Sequence, residues 1–350
     1  MKILVTGGAG FIGSNFIRYV LGMRKGYQVV NYDKLTYAGN LANIASVETD
    51  PNYLFVKGDI CDPAAVATAI KGCDAVLHFA AESHVDRSIY EPATAIHTNV
   101  TGTSTLLHVA RAATVSRFVQ VSTDEVYGDI PSGAFADENS RIAPSSPYSA
   151  SKAGADLLAL SYVRTYGFPA LITRSSNNYG PFQFPEKFIP VMVMNALDGR
   201  PVPIYGDGKQ QRDWLHVDDN CRGILAVLER GRVGEVYNIG GLEIVENLAL
   251  ATRLLRLAGR PASLLSHVQD RPGHDRRYAL SCDKIKRELG WQPQISLEEG
   301  LRQTIDWYRS NTTWVNQVRS GEYLAYYQKN YDHRESSLSS VAPPSIDATR

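Results

Sequence analysis

The run Lys2-Ile-Leu-Val-Thr6, followed by Gly7-Gly8-Ala9-Gly10-Phe11-Ile12-Gly13, decides the fold of this chain. A short apolar strand ends in glycines, and a helical pattern over Ile12–Leu21 begins at once. Gly7 permits a tight turn, Gly10 lets backbone approach a pyrophosphate, and Gly13 lets the helix pack close to the strand. The helix N-terminus then offers free N–H groups and a positive dipole to a diphosphate. Asp33 falls 20 residues after Gly13, at the end of the next strand, where a carboxylate accepts both ribose hydroxyls. It favours NAD over NADP. A 2′-phosphate ~4 Å from that carboxylate would meet about 4 kcal/mol of repulsion at an effective dielectric of ~20, a figure that neighbouring Lys34 tempers. Asp59-Ile60, after the third strand, is placed to hold adenine.

Outward from this unit the first half repeats its rhythm. Gln28–Tyr32, Tyr53–Val56, Ala75–Phe79, Phe118–Ser122 and Ala170–Thr173 read as further strands, mostly apolar without alternation, as expected for strands covered on both faces. Pro92–Ala113 and Tyr148–Tyr166 read as helices between them. Repeated βα units predict an α/β, Rossmann-type doubly wound parallel sheet. After Asn178, Pro and Gly become frequent. A helix over Val217–Glu229 and a strand over Glu235–Ile239 return to the sheet. We therefore expect an NAD-binding domain over 1–178 plus about 209–240. A smaller, mostly helical substrate lobe takes about 179–208 plus 241–330, with one loop at Asp270–Asp275. The Ser- and Pro-rich end, 335–350, reads as a disordered tail.

Composition excludes several classes. Of 350 residues, 44% are hydrophobic and 21% charged, and the formal net charge is zero, so no basic excess argues for nucleic acid or a membrane surface. Cys61, Cys73, Cys221 and Cys282 form no CxxC or CxxH pattern, which argues against a zinc site or a disulfide framework and for reduced thiols in a cytoplasmic protein. The N-terminus lacks a signal-peptide shape, and no run of apolar residues is long enough for a membrane span. No metal is expected.

The chemistry sits in two stretches. Ser122-Thr123-Asp124-Glu125 ends the fifth strand, and Tyr148-Ser-Ala-Ser-Lys152 opens the following helix, with Tyr148 and Lys152 on one face. A phenol becomes a useful base only if its pKa falls from about 10 towards 7, a change of roughly 4 kcal/mol. A lysine charge one turn away and a positive nicotinamide ring supply that together. Tyr148 can then take a proton from a sugar hydroxyl while its carbon gives hydride to NAD⁺, and Lys152 holds the nicotinamide ribose. Asp124-Glu125 adds what simple dehydrogenation does not need. Once C4 of a hexose is a ketone, the C5 hydrogen is acidic. A base removes it and an acid protonates the departing C6 hydroxyl. Adjacent carboxyls in one crevice suit this, because like charge and burial keep one protonated. Glu125 is assigned as base and Asp124 as acid.

These residues resemble the dTDP-glucose 4,6-dehydratases, of the extended short-chain dehydrogenase type, along the chain to about residue 330. The resemblance is carried by Ala80-Ala-Glu-Ser-His-Val-Asp-Arg-Ser88, Thr123-Asp124-Glu125 with Tyr127-Gly128, Tyr148 with Lys152, Asn177-Asn-Tyr-Gly-Pro181 and Pro185-Glu-Lys187. Tyr205-Gly-Asp-Gly208, Arg212-Asp-Trp-Leu-His216 and Arg271-Pro-Gly-His-Asp-Arg-Arg-Tyr278 complete it. It implies oxidation at C4, loss of water across C5–C6 and hydride return to C6. The cofactor would then be a tightly bound NAD, regenerated each turnover. The implied NAD contacts are Gly7, Gly10, Phe11, Ile12, Gly13, Asp33, Lys34, Leu35, Thr36, Asp59, Ile60, Ala80, Ala81, Ser83, Thr98, Tyr148, Lys152 and Asn178. Thr123 would hydrogen-bond the C4 oxygen. Ser83, Asn177, Lys187, Tyr205, Arg212, Asn247, Arg271 and His274 would line the sugar-nucleotide pocket, with Arg212, Arg271 and Lys187 suited to the diphosphate by charge. The family pairs helices such as Pro92–Ala113 and Tyr148–Tyr166 between subunits, which implies a homodimer. Three positions depart from the family pattern: Ser175 stands where Cys is frequent, Asn220 where His is frequent, and Gly241 precedes an unusually apolar Leu-Glu-Ile-Val-Glu. A sugar-nucleotide 4-epimerase would share Tyr148, Lys152 and NAD but usually carries small hydroxyl residues at the positions of Asp124 and Glu125. GDP-mannose dehydratases usually place Ser at the first of them.

Overall fold

The computed structural model describes residues 1–23 and 26–319. The expected tail, 335–350, lies outside them. The chain opens with β1 (Lys2–Thr6), α1 (Phe11–Met23), β2 (Gln28–Asp33), β3 (Tyr53–Lys57), α2 (Pro63–Ala69), β4 (Ala75–His78) and α3 (Val85–Tyr90). A long helix follows, α4 (Pro92–Ile96) running through a π-helical stretch (His97–Gly102) into α5 (Thr103–Ala112). Then come β5 (Arg117–Thr123), α6 (Pro147–Tyr166) and β6 (Ala170–Ser175). The second half holds β7 (Asn177–Tyr179), α7 (Phe188–Asp198), β8 (Val202–Tyr205), β9 (Gln211–His216), α8 (Val217–Arg230) and β10 (Val236–Ile239). It ends with β11 (Ile244–Glu246), α9 (Asn247–Leu257), β12 (Leu265–Val268), α10 (Asp283–Leu289), α11 (Leu297–Ser310) and α12 (Thr312–Val318).

Seven strands form one parallel sheet in the order β10-β6-β5-β4-β1-β2-β3. This is the doubly wound order with an added edge strand. The apolar runs of the sequence have a direct physical reason. Ile3 and Val5 of β1 pack with α1 and α8 on one face, whereas Leu4 packs with Leu106 and Leu107 of α5 on the other. Each such fully buried side chain contributes roughly 1.5–3 kcal/mol. The strand order reverses between β1 and β4, so the carboxyl ends of these strands leave a crevice. Gly7 adopts φ 72°, and a Cβ there would stand 2.6 Å from the Ala80 nitrogen of the neighbouring connection. A Cβ on Gly13 would meet the Gly7 carbonyl at 2.3 Å, so α1 can sit this close only without a side chain.

A second apolar cluster holds the lobe together, drawn from α7, α9, α11 and α12 and including Ile189, Met192, Leu254, Leu301 and Trp314. The expectation of a mostly helical lobe needs one addition. Two small sheets lie there, β11-β9-β7 and β12-β8. α8 and β10 do return to the large sheet, where β10 pairs with β6. β9 instead pairs with β7 and β11. The helix expected over Pro92–Ala113 is interrupted by its π-helical stretch, an irregularity often found near functional sites. Among the described residues no helix is long and apolar enough to cross a membrane.

Candidate active site

The crevice is a cleft of about 700 Å³, floored by the glycine turn and walled by α1, the ends of β2 and β3, and the segment after β4. Gly7, Gly10, Phe11, Ile12 and Gly13 line it, as do Asp33, Lys34, Thr36, Asp59, Ile60, Ala80, Ala81, Ser83, Thr98, Tyr148, Lys152 and Asn178. Leu35, expected with them, does not reach this wall. Its backbone turns at φ 57°, and its N–H donates to Asp33 Oδ1 at 2.8 Å. Ala9 N donates to the other Asp33 oxygen at 2.9 Å, so this carboxylate also fixes the glycine turn. Burial raises the Asp33 pKa and the two N–H donors oppose it. Lys34 pairs with Asp59 at 2.7 Å, which ties the ends of β2 and β3 together.

At the inner end of the cleft, α6 begins with Ser146 as N-cap in a capping box and Pro147 at its first turn. That start places Tyr148 and Lys152 one turn apart, both buried. The Tyr148 N–H donates to Ser88 Oγ of α3 at 3.1 Å. The expected lowering of the Tyr148 pKa takes Lys152 and a nicotinamide ring together, and in the protein alone the phenol is raised. Lys152 Nζ donates to the Val121 carbonyl of β5 at 2.7 Å. Burial pushes the phenol up, and the carboxylates of Glu125 and Asp124 push it further, against a hydrogen bond from Thr123. The chain's own groups therefore keep Tyr148 protonated. Burial brings Lys152 down to about 8, opposed by Asp156.

Thr123 caps the short 3₁₀ turn of Asp124–Tyr127, accepting from Glu125 N at 3.2 Å and donating to Asp124 Oδ1 at 3.2 Å. The two acids differ in their surroundings. Asp124 is 2% exposed, and its Oδ2 has no hydrogen-bond partner among the described residues. Burial, then Glu125 and Asp213, drive its pKa far above the usual carboxylate range. Burial also raises Glu125, but Arg271, Lys187 and Arg212 all pull it back. Burial raises both members of the acidic pair, with neighbouring acids adding to the rise at Asp124 and cations opposing it at Glu125.

Glu125, Asn177, Asn178 and Lys187 also line a second cavity of about 160 Å³, which continues the cleft towards the lobe. Tyr205, Arg212, Asn247, Arg271 and His274 converge on it. Ser83 stays on the larger cleft, where its carbonyl accepts from Lys187 Nζ. Arg212 spreads over the Tyr278 ring at 4.2 Å and donates to the Asp275 carbonyl at 2.9 Å. Arg271 is anchored to Asp86 at 3.1 Å, and its buried Nε has no partner among the described residues. His274 Nδ1 lies 2.6 Å from Asp270 Oδ1. Asn177 Oδ1 and Asn247 Oδ1 are likewise buried and unpaired. Sequence reasoning missed Asp86, Glu186 and Tyr278 on this wall, although each lies inside a stretch that carried the resemblance. Ser175 and Asn220, the two polar departures from the family pattern, bond to each other at 2.8 Å. The bond satisfies the Asn220 oxygen, whereas its buried Nδ2 has no hydrogen-bond partner among the described residues.

A dinucleotide crevice that meets a buried tyrosine, a lysine and two unequal acids belongs to enzymes of the short-chain dehydrogenase type that work on sugar nucleotides. Comparison narrows the class. Residues 4–304 match the family model for GDP-mannose 4,6 dehydratase. A dTDP-glucose 4,6-dehydratase from Streptomyces niveus is 51% identical over 91% of this chain and 96% of its own. The dTDP-glucose 4,6-dehydratase 1 of Escherichia coli K12 is 48% identical over 96% of this chain and 100% of its own. The crystal structure of DesIV, a dTDP-glucose 4,6-dehydratase from Streptomyces venezuelae with NAD bound, superposes with a TM-score of 0.89 at 52% identity, covering 91% and 100% of the two chains. A UDP-glucuronic acid 4-epimerase from Bacillus cereus also superposes, at 0.84 and 30% identity over 89% and 99%. The fold alone therefore does not separate dehydratase from epimerase. The chain belongs to the nucleotide-sugar 4,6-dehydratase family, on the branch of the dTDP-glucose enzymes.

Proposed function

We propose that this protein converts dTDP-glucose to dTDP-4-keto-6-deoxyglucose and water. The observation that carries the reading is the unequal pair Asp124 and Glu125, which line the larger cleft with Tyr148 and act on its phenol, with Glu125 also lining the second cavity. An epimerase needs no such pair.

The larger cleft fits a dinucleotide. Gly7 and Gly13 stand where a Cβ would clash with neighbouring backbone, so the turn and α1 pack closely under the cleft, and the first turn of α1 carries no acidic residue to oppose a diphosphate. Asp33 is placed for a ribose, Asp59 and Ile60 for adenine, and Lys152 for the nicotinamide ribose. NAD, when bound there, would supply the hydride chemistry, as acceptor from C4 and donor to C6. Thr123 hydrogen-bonds the C4 oxygen, and Tyr148 takes the C4 hydroxyl proton. Glu125 then takes the C5 proton, Asp124 gives its proton to the C6 hydroxyl, which departs as water, and Glu125 returns a proton to C5 as C6 receives the hydride. Arg212, Arg271 and Lys187 hold the diphosphate, and the unpaired buried atoms of Asn177, Asn247 and Arg271 are poised to bond the substrate.

Incubation of the purified protein with dTDP-glucose tests the reading. A dehydratase yields a 4-keto sugar that absorbs in alkali, without added NAD. Formation of dTDP-galactose would make the protein an epimerase, and no product would remove the activity.

We also infer a cytoplasmic homodimer. All four cysteines are free thiols, as a reducing compartment allows. Ile96 on α4 and Leu157 on α6 are 51% and 55% exposed on helices that pack side by side. Light scattering should give about twice 38.5 kDa, and a mass of 38.5 kDa would refute the pairing.

A further inference from the structure

Tyr148 and Lys152 are followed one turn later on α6 by Asp156, so three functional groups repeat at i, i+4 and i+8 along one helix face. Asp156 is fully buried. Its Oδ2 accepts from Arg174 Nε of β6 at 2.9 Å. Its Oδ1 is buried and has no hydrogen-bond partner among the described residues, with the Ser122 hydroxyl nearby. Arg174 is itself held from its other side, because its Nη1 donates to Tyr127 Oη at 2.9 Å and Tyr127 Oη donates to Asn238 Oδ1 at 2.8 Å. The carboxylate is thus held by Arg174 through Oδ2, one helical turn after Lys152 on the same face of α6, and its buried Oδ1 has no hydrogen-bond partner among the described residues.

We propose that Asp156 is a positioning residue of the dehydratase reaction, a fixed counter-charge beneath Lys152 that keeps the lysine protonated in the apolar floor of the cofactor cleft. The inference rests on the dehydratase reading for its kinetic consequence, though not for its structural one. Lys152 is 4% exposed and its Nζ donates to one carbonyl only among the described contacts, an environment that by itself drives an ammonium to lose its proton.

The surroundings offer no other acid in this position. Arg174 on β6 is paired with Asp156 itself. His78 on β4 is hydrogen-bonded to Thr6 and Thr103 and stays neutral, pushed down to about 3 by burial and by Lys152. Asp124, Glu125 and Tyr127 follow β5, and the two acids act chiefly on each other, on Tyr148 and on the cations of the second cavity. Asp86 of α3 is bound to Arg271, and Arg87 of α3 to Glu186. His97 of the π-helical stretch, Arg117 at the start of β5, and His108 and Arg111 of α5 add no negative charge. Of all these neighbours, Asp156 alone acts on Lys152 against the effect of burial.

The sign follows. Lys152 is active while charged, so activity is present below its pKa and lost above it. Asp156→Asn removes the negative charge, and the alkaline limb of kcat should move down by about one pH unit, which is a tenfold loss on that limb. A purely structural role would scale kcat at every pH without moving the limb. Asp156→Glu should restore the limb. The Cε resonance of Lys152 in ¹³C-lysine-labelled enzyme as purified, assigned with Lys152→Met, should titrate lower by the same interval and needs no substrate. If Asp156→Asn does not fold because Arg174 is left unpaired, Asp156→Asn with Arg174→Met removes the orphaned cation and is read in the same two ways. An unmoved limb together with an unmoved Lys152 titration in a folded variant overturns the inference. A moved titration in a protein that makes no 4-keto sugar would instead overturn the function and leave the counter-charge standing.

Discussion

Glu125→Gln is expected to lower turnover by about 10²–10⁴-fold, the usual contribution of a positioned general base, while leaving C4 oxidation possible. The amide fills the same space and can keep hydrogen bonds within the cationic wall of Arg271, Lys187 and Arg212, but it cannot accept the C5 proton. The diagnostic measurement is exchange of the C5 hydrogen with solvent deuterium, followed by mass spectrometry of the sugar nucleotide. Loss of exchange with the substrate still bound is the expected result. Exchange at the wild-type rate would remove Glu125 from the base role, whatever the fall in turnover. The structure sharpens this test. Burial raises both acids, but three cations oppose the rise at Glu125, whereas two further carboxyls add to it at Asp124. A variant at Asp124 would therefore act on water departure and leave exchange intact.

The second large effect is expected at Tyr148→Phe, again about 10²–10⁴-fold in kcat, now at the first step. No C4 oxidation should follow, so rapid mixing with dTDP-glucose should show none of the near-ultraviolet absorbance of reduced nicotinamide. Fold and cofactor retention should survive, because Tyr148 is anchored through its backbone N–H to Ser88 and the ring stays in place. Reduced nicotinamide forming at the wild-type rate in this variant would assign the C4 proton to another group. Because burial and two acids raise the phenol in the protein itself, a positive charge delivered with the dinucleotide has to offset them.

The large sheet was legible because its signals are local. The β1 run, the glycine turn and the periodic helix lie within about two dozen residues, and the strands repeat that grammar with apolar runs buried on both faces. The strands of the lobe were not. β9 reads Gln-Arg-Asp-Trp-Leu-His, a polar sequence that becomes a strand only by pairing with β7 and β11 from remote parts of the chain. The helix over Pro92–Ala113 was visible, but nothing in its spacing marks the π-helical stretch. At the site, residue types in fixed patterns were readable and orientations were not. Tyr148 and Lys152 were placed one turn apart, yet the lysine bonds the Val121 carbonyl, a partner that no helical spacing predicts. Asp86 lies within a run that was singled out, but its role depends on Arg271, 185 residues away. Asp156 likewise gains meaning only from Arg174 on the next strand.

Glu125, Asn177 and Lys187 are shared by both cavities, so under the proposed reaction the substrate would occupy one continuous channel, with its reacting ring at one end and its charged handle at the other. The grip on the handle would then not change as the ring is oxidised, dehydrated and reduced. Half-finished sugars should consequently stay captive through all three steps, and the only species to escape into solution should be the starting compound and the completed ketone. A pulse of labelled substrate chased with a large unlabelled excess would then run to the finished product without dilution of its label.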